Sequence, residues 1–202
     1  MQSLLYSLIA EAQGWSALEA GAVLFAVLYL VLAIRQNILC WVCAGISTAI
    51  YVYLFLNARL YMESVLNVFY FGMAVYGWSV WYQGRSDDHE LPVSVWNVAT
   101  HCYAVAAIVS ASLISGYLLE KYTVAAFPYI DSMTTWAAVW ATFLVARKVL
   151  ENWWYWLVID IASIFIYWSR DLQLTSLLFV IYVIMIPFGL ISWTRSWREA
   201  QA

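Results

Sequence analysis

The chain alternates between long apolar runs and short polar breaks from residue 15 to residue 194. Each apolar run has 18 to 23 residues, about the length that an α-helix needs to cross a bilayer. The pattern therefore predicts seven membrane-spanning helices, with an all-α integral membrane fold. The predicted spans cover residues 15–34, 38–56, 60–82, 96–118, 131–149, 152–169 and 174–194.

Composition supports this prediction. Hydrophobic residues make up 65% of the 202 residues and charged residues only 10%, whereas soluble domains are about a quarter charged. A formal net charge of −3 also excludes a disordered chain and a nucleic-acid-binding protein, which need more charge. The expected surroundings are a lipid bilayer, and nucleic acid is not an expected partner.

The distribution of lysine and arginine predicts the orientation. Six of these residues fall on one side of a seven-span chain and three on the other, and the richer side faces the cytoplasm. We therefore expect an amino terminus outside and a cytoplasmic tail at 195–202. Residues 1–14 contain no lysine or arginine, so they lack the basic region of a signal peptide and suit a short interfacial helix.

The chain also repeats itself at an offset of 112 residues. Residues 31–81 align with 143–193 without a gap, and eleven of the 51 pairs are identical, about twice the chance level for apolar sequences. We predict a first three-helix repeat at 15–82, a linker with one inverter helix at 83–130, and a second repeat at 131–194. Such parallel repeats place the substrate between them near the bilayer midplane.

The sixth span carries an inward stripe made of Trp153, Trp156, Asp160, Ser163 and Tyr167, within an arc of about 80°. Asp160 lies near the middle of the span, where a carboxylate is costly and points to function; a structural hydrogen bond is the alternative. Two indoles beside an acid suit a flat organic cation, although either indole could instead anchor the span at the interface.

Other spans supply further candidates for substrate binding. Asn67 is a candidate partner for polar substrate atoms, Glu63 could instead reach the interface, and Ala74 and Gly77 could mark close helix packing. His101 suits a structural donor better than a proton relay. The remaining candidates are Trp41, Thr48, Tyr70, Asn152 and Tyr182.

The chain shows no sequence motif for an enzyme, a metal or a cofactor. It has no P-loop and no metal-ligand cluster, and its spans show no nucleophile–base pair that a membrane hydrolase would need. Cys40 and Cys43 form a C-x-x-C inside an apolar run, which suits packing better than metal or redox chemistry. The function classes left are a transporter and a non-transporting membrane receptor or assembly subunit.

Several segments resemble the PnuC family of bacterial vitamin transporters. The most specific is Glu151-Asn152-Trp153 with Trp156, which follows Arg147-Lys148. Similar stretches run from Arg59 to Trp81, including Tyr76-Gly77-Trp78, and from Gly189 to Trp193. The likeness covers nearly all of residues 20–195.

This resemblance implies a SWEET-like fold of three, one and three transmembrane helices, assembled as a homotrimer in the bacterial inner membrane. It implies facilitated diffusion of nicotinamide riboside, thiamine or riboflavin, with a cytoplasmic kinase that traps the substrate. It also implies that Trp153, Trp156 and the polar position Asn67 bind substrate. We expect a uniporter for a cationic vitamin, with nicotinamide riboside first and thiamine second.

Overall fold

The computed structural model describes residues 17–57, 61–86, 91–123, 127–169 and 173–201. Seven α-helices follow one another in these residues, and the one isolated β-bridge found there pairs Ser94 with Val149. The segment predicted as an interfacial helix, 1–14, lies outside the described residues. The helices are α1 (Ala17–Ile34), α2 (Leu39–Asn57), α3 (Tyr61–Ser86), α4 (Val98–Tyr122), α5 (Pro128–Ala146), α6 (Asn152–Trp168) and α7 (Gln173–Glu199).

The predicted all-helical membrane fold is confirmed, and each predicted span overlaps one helix. Four of the described helices are long and apolar enough to cross a membrane by length and composition: α1, α2, α4 and residues 175–199 of α7. The arrangement of three, one and three helices stays a prediction.

The fifth helix is shifted as a whole toward the amino terminus relative to its predicted span. It begins at Pro128 and ends at Ala146, three residues before each end of the predicted span. Proline is well suited to a first helical position because its missing N–H would have no partner there. Lys148 has a positive φ of 50°, which ends the helix although the following residues are still apolar.

The described chain divides into two compact units. The first comprises Met1–Val93, Ala146–Lys148 and Phe188–Ala202, and the second comprises Ser94–Val145 and Val149–Pro187, as far as these ranges are described. The boundary within α7 falls at Pro187, whose ring cannot donate a helical hydrogen bond. These spatial units do not test the repeat boundaries predicted from the sequence, which stay a prediction.

The turns after α1 and α5 have the same backbone geometry, 112 residues apart. Gln36 has a φ of 54° and Lys148 a φ of 50°, both in the left-handed region. The next residue in each turn donates its N–H five residues back, Asn37 to Leu32 and Val149 to Leu144, both at 2.9 Å. These are Schellman-type helix ends, so the sequence repeat extends to local structure.

Two tryptophans of the first unit donate hydrogen bonds to backbone carbonyls of other helices in that unit. The indole N–H of Trp81 donates to the carbonyl oxygen of Ala146 at 3.1 Å, and that of Trp193 donates to the carbonyl oxygen of Ala33 at 3.0 Å. Both indoles are buried. The ammonium of Lys148, also buried, lies 4.7 Å from the centroid of the Trp81 ring. The Trp81 bond supplies a donor to a carbonyl in the last turn of α5, whereas the Ala33 carbonyl also accepts the backbone N–H of Gln36 at 3.0 Å.

Candidate functional site

The stripe predicted on α6 faces the interior of the protein. Trp153, Asp160 and Ser163 are buried, and Trp156 and Tyr167 are half-buried. The opposite face carries Val158 and Phe165, which are 69% and 71% exposed. A helix with one polar and aromatic face turned inward and an apolar face turned outward is what a membrane interior requires.

Asp160 is the chemically distinctive group of this stripe. Its side chain is only 3% exposed. Among the described residues, no donor or cation lies within hydrogen-bond or ion-pair distance of its carboxylate. A buried carboxylate without a partner is costly in its charged form, so a cationic ligand beside Asp160 would stabilise that form. The structural hydrogen bond considered as an alternative is not seen in the described residues.

The two tryptophans beside Asp160 differ from their neighbour on the outward face. Trp153 is buried and Trp156 is half-buried, whereas Trp154 is 57% exposed. The exposure pattern follows the helical period, because residues 153 and 156 share a face that residue 154 does not. Trp153 and Trp156 therefore share the inward face of α6, and Trp156 is the more accessible of the two.

Asn152 begins α6 and is fully buried. Its amide nitrogen donates to the carbonyl oxygen of Val149 at 2.7 Å, which fixes the side chain on the turn after α5. Its amide oxygen has no hydrogen-bond donor among the described residues. A polar substrate atom could supply that donor, so Asn152 keeps its place among the candidates.

A cluster of aromatic rings lies near the carboxyl end of α6. The rings of Tyr167 and Phe179 stack with centroids 5.3 Å apart, and Phe179 meets Tyr182 edge-on at 5.6 Å. Sequence reasoning missed Phe179. The sequence repeat could have indicated this residue, because position 179 is equivalent to Asn67. A phenyl ring in one repeat in place of an amide in the other is a difference between the two repeats.

His101 of α4 belongs to a polar cluster at the amino end of α6. Its Nδ1 lies 3.0 Å from the Tyr155 hydroxyl, and its Nε2 lies 3.9 Å from Glu151 Oε2. The same carboxylate oxygen accepts the backbone N–H of Trp96 at 3.4 Å. These bonds tie the segment before α4 to the start of α6, which is the structural role that the sequence favoured for His101.

The candidates on α2 make contacts within the first unit. Trp41 is buried and meets the ring of Trp81 edge-on at 5.5 Å. It also covers Gly77, where an added Cβ would collide with the indole. The Thr48 hydroxyl donates to the carbonyl oxygen of Ala44 at 2.8 Å. Gly77 thus serves the close helix packing considered for it.

The candidates on α3 are less enclosed. Asn67 and Tyr70 are half-buried, and the Tyr70 ring lies 5.7 Å from that of Phe69. Glu63 belongs to α3, but its side chain lies outside the described residues. All five candidates of α2 and α3 belong to the first unit, whereas the α6 stripe and Tyr182 belong to the second.

The cysteines are free. Cys40 and Cys43 are buried in α2 and Cys102 is exposed on α4. In the part of the chain that the structure describes, no three histidine, cysteine or acidic side chains gather as metal ligands. The burial of Cys40 and Cys43 within α2 suits packing as small apolar side chains.

Comparison with known proteins identifies the family. Residues 16–195 match the family model described as nicotinamide mononucleotide transporter. The chain belongs to this family. It is therefore a multi-pass membrane protein and a transporter rather than an enzyme, and the resemblance to PnuC proteins in the sequence is confirmed.

Individual relatives of this transporter family match at low identity but over long stretches. The chain is 24% identical over 226 residues to the nicotinamide riboside transporter PnuC of Escherichia coli, covering 98% of this chain and 95% of that protein. It is 24% identical over 163 residues to the nicotinamide riboside transporter PnuC of Neisseria mucosa, covering 74% and 61%. It is 23% identical over 133 residues to the riboflavin/roseoflavin transporter RibM of Streptomyces davaonensis, covering 64% and 62%.

A solved structure shares the fold. The crystal structure of the vitamin B3 transporter PnuC superimposes with a TM-score of 0.72 at 23% sequence identity. The superposition covers 97% of this chain and 90% of the other. The two proteins therefore share a fold.

Proposed function

We propose that this transporter carries nicotinamide riboside by facilitated diffusion. The curated relatives that match nearly the whole chain bear that substrate in their names. The observation that carries the proposal is the buried Asp160 carboxylate, which has no partner among the described residues and lies on one face with Trp153 and Trp156. Nicotinamide riboside is a flat pyridinium ring with a permanent positive charge, joined to a polar sugar.

The chemistry of the α6 stripe suits each part of that substrate. An indole face attracts a cationic ring by about 0.5 to 2 kcal/mol, which Trp153 and Trp156 would supply. Asp160 would neutralise the ring charge at a buried position. Ser163, one turn further along α6, and Asn152 would hydrogen-bond to polar substrate atoms. Trp41, Thr48, Glu63, Asn67 and Tyr70 remain sequence-based candidates of the first unit.

Thiamine and riboflavin are the two alternative substrates. Thiamine also carries a quaternary ring nitrogen, so Asp160 and the indoles would suit it equally, and it is the second candidate. Riboflavin is considered because the Streptomyces relative is named a riboflavin/roseoflavin transporter, but the riboflavin ring system is uncharged. An uncharged ring would leave the cost of the buried Asp160 carboxylate in place, which favours a cationic substrate.

The transport cycle that we propose is uniport by alternating access. One three-helix repeat would rock against the other around the bound substrate. A cytoplasmic kinase would then phosphorylate the imported substrate and so trap it inside the cell. We place the protein in the bacterial inner membrane as a homotrimer, with the amino terminus outside and the carboxyl terminus in the cytoplasm. The charge distribution supports the orientation, and the resemblance to PnuC proteins supports the assembly.

Uptake by proteoliposomes tests the proposal. Purified protein would be reconstituted, and the entry of labelled nicotinamide riboside, thiamine and riboflavin would be measured over a range of concentrations, with protein-free liposomes as the control. We expect saturable uptake of nicotinamide riboside without an ion gradient. Saturable uptake of thiamine alone would assign the second candidate, and binding of all three without flux would indicate a receptor instead.

A further inference from the structure

The aromatic cluster joins two binding candidates predicted from the sequence, Tyr167 and Tyr182, to Phe179. None of its rings has been given a role in the contacts proposed above for Trp153, Trp156 and Asp160. Phe179 is its centre, because its ring stacks on Tyr167 with an interplanar angle of 12° and meets Tyr182 at 76°. All three side chains are half-buried rather than enclosed. The cluster therefore holds its rings in fixed mutual positions while part of their surface stays accessible.

The cluster faces inward on both of its helices. On α7, an apolar stripe with helical spacing is exposed at Leu177, Ile181 and Ile184. Phe179 and Tyr182 project roughly opposite that stripe at 100° per residue. On α6, Tyr167 shares the face of Asp160 and is opposite the exposed Phe165. The rings are therefore directed away from the lipid-facing surface, where an anchoring aromatic would be expected.

The cluster is separated from Asp160 along α6. Tyr167 follows Asp160 by seven residues, which is a rise of about 10 Å. The buried Ser163 lies between them on the same face, and Trp153 and Trp156 lie on the other side of Asp160. The face of α6 thus presents an indole pair, an acid, a hydroxyl and an aromatic cluster in sequence.

The cluster is specific to the second repeat. The repeat equivalents of Tyr167 and Tyr182 are Phe55 and Tyr70, which are also aromatic, but the equivalent of Phe179 is Asn67. The central ring that connects the two tyrosines therefore exists in one repeat only. If the ring served packing alone, an amide at the matching position would not be a natural replacement.

We propose that Tyr167, Phe179 and Tyr182 form a second station for the aromatic cation, about 10 Å from Asp160 along the helix axis. This station rests on the proposed function. Ring faces attract a flat cation through their quadrupoles and bury its apolar area. Flux through a membrane protein benefits from several moderate sites, since one very tight site would release its substrate slowly. Phe179 is then a residue that determines affinity for the ring during passage to Asp160.

Uptake kinetics of Phe179→Leu in proteoliposomes test the station. Leucine keeps most of the apolar volume and removes the ring. We expect the half-saturating concentration of nicotinamide riboside to rise about two- to thirty-fold, with an unchanged maximal rate. Phe179→Tyr, which keeps a ring, should retain the wild-type value. The matched control is Phe165→Leu, the same substitution on the exposed face of α6, and it should also retain it.

The outcomes separate this inference from the proposed function. Saturable uptake by the wild type, with equal half-saturation in Phe179→Leu and Phe165→Leu, would overturn the station and leave the function intact. A lower maximal rate in Phe179→Leu without a change in half-saturation would show that the ring is only structural, and would overturn it too. No saturable uptake by the wild type overturns both proposals. If Phe179→Leu does not fold, Tyr167→Leu must give the same rise in half-saturation.

Discussion

Ser64 and Ser176 make the same hydrogen bond 112 residues apart. The hydroxyl of Ser64 donates to the carbonyl oxygen of Val52 at 3.2 Å, and that of Ser176 donates to the carbonyl oxygen of Ile164 at 3.1 Å. Each bond joins the third helix of a predicted repeat to the second, α3 to α2 and α7 to α6. Both serines are buried, so each bond is made away from water in its own compact unit.

These two serines should contribute equally to stability. Replacing either with alanine removes one buried hydrogen bond and leaves a helix carbonyl with one partner fewer. We expect each change to lower the free energy of unfolding by about 1 kcal/mol, with additive effects in the double variant because each bond lies within its own compact unit. Thermal unfolding in detergent measures this. Ser110→Ala is the control, since that exposed hydroxyl bonds only to its own helix at Ala106, and an equal loss there would contradict the prediction.

Removing the charge of Asp160 should impair the binding of a cationic substrate. Asp160→Asn keeps the size and polarity of the side chain but cannot neutralise a pyridinium ring. We expect the affinity for nicotinamide riboside to fall at least about tenfold, the equivalent of 1.4 kcal/mol, as measured by calorimetry and by uptake. Asp131→Asn makes the same change in the first turn of α5 and should leave affinity within about twofold. Unchanged affinity in Asp160→Asn would refute the charge role.

Of the neighbouring tryptophans Trp154 and Trp156, only Trp156 should affect substrate affinity. Trp156→Ala removes an inward indole, and we expect binding to weaken by about 1 to 3 kcal/mol through lost apolar contact and lost attraction to the cation. Trp154→Ala removes an indole that is 57% exposed and should leave affinity unchanged. Binding titrations of both purified variants decide between the two effects. Equal weakening would mean that the indoles act through helix stability rather than through the ligand.

Two glycines of α3 should differ sharply in their tolerance of a methyl group. A Cβ at Gly77 would collide with the buried indole of Trp41, whereas a Cβ at Gly72 meets nothing within 4 Å. We expect Gly77→Ala to destabilise the protein by about 1 to 3 kcal/mol through overpacking. Gly72→Ala should be neutral or stabilising by up to about 1 kcal/mol, since alanine favours helix. Thermal unfolding of both variants gives the comparison, and an equally tolerated Gly77→Ala would disprove the packing role.

The helices could be predicted because bilayer thickness sets the length of an apolar run. Arg35, Gln36 and Asn37 interrupt such a run, and α1 ends at Ile34. The end of α5 could not be read in the same way, since Val149 is apolar yet lies in a turn. That turn depends on the positive φ of Lys148, a conformation that no apolar pattern reports. The hydrophobic periodicity of the sequence shows which face of a helix is buried, but the backbone conformation determines where the helix ends.

The candidate site was predictable where one helix carries it. Asp160 and its aromatic neighbours share a face through spacing alone, so their common orientation could be derived from the sequence. Phe179 was missed because its role depends on contact with Tyr167 on another helix. The packing of Trp41 on Gly77 likewise needed three-dimensional structure. Contacts between helices follow from side-chain shape, which the hydrophobic pattern does not encode.

The two indole–carbonyl bonds of Trp81 and Trp193 suit an origin of the chain by gene duplication. Each tryptophan lies in the third helix of one predicted repeat, and its acceptor lies in the last turn of the first helix of the other, at Ala146 and Ala33. The two acceptors differ by one position at the 112-residue offset, so the exchange is close to the reciprocal contact of a two-fold interface between identical partners. An ancestral polypeptide of one repeat could make both bonds by pairing with a second copy of itself. Gene duplication would then have joined the two partners of a homodimer in one chain and kept the interface they already shared.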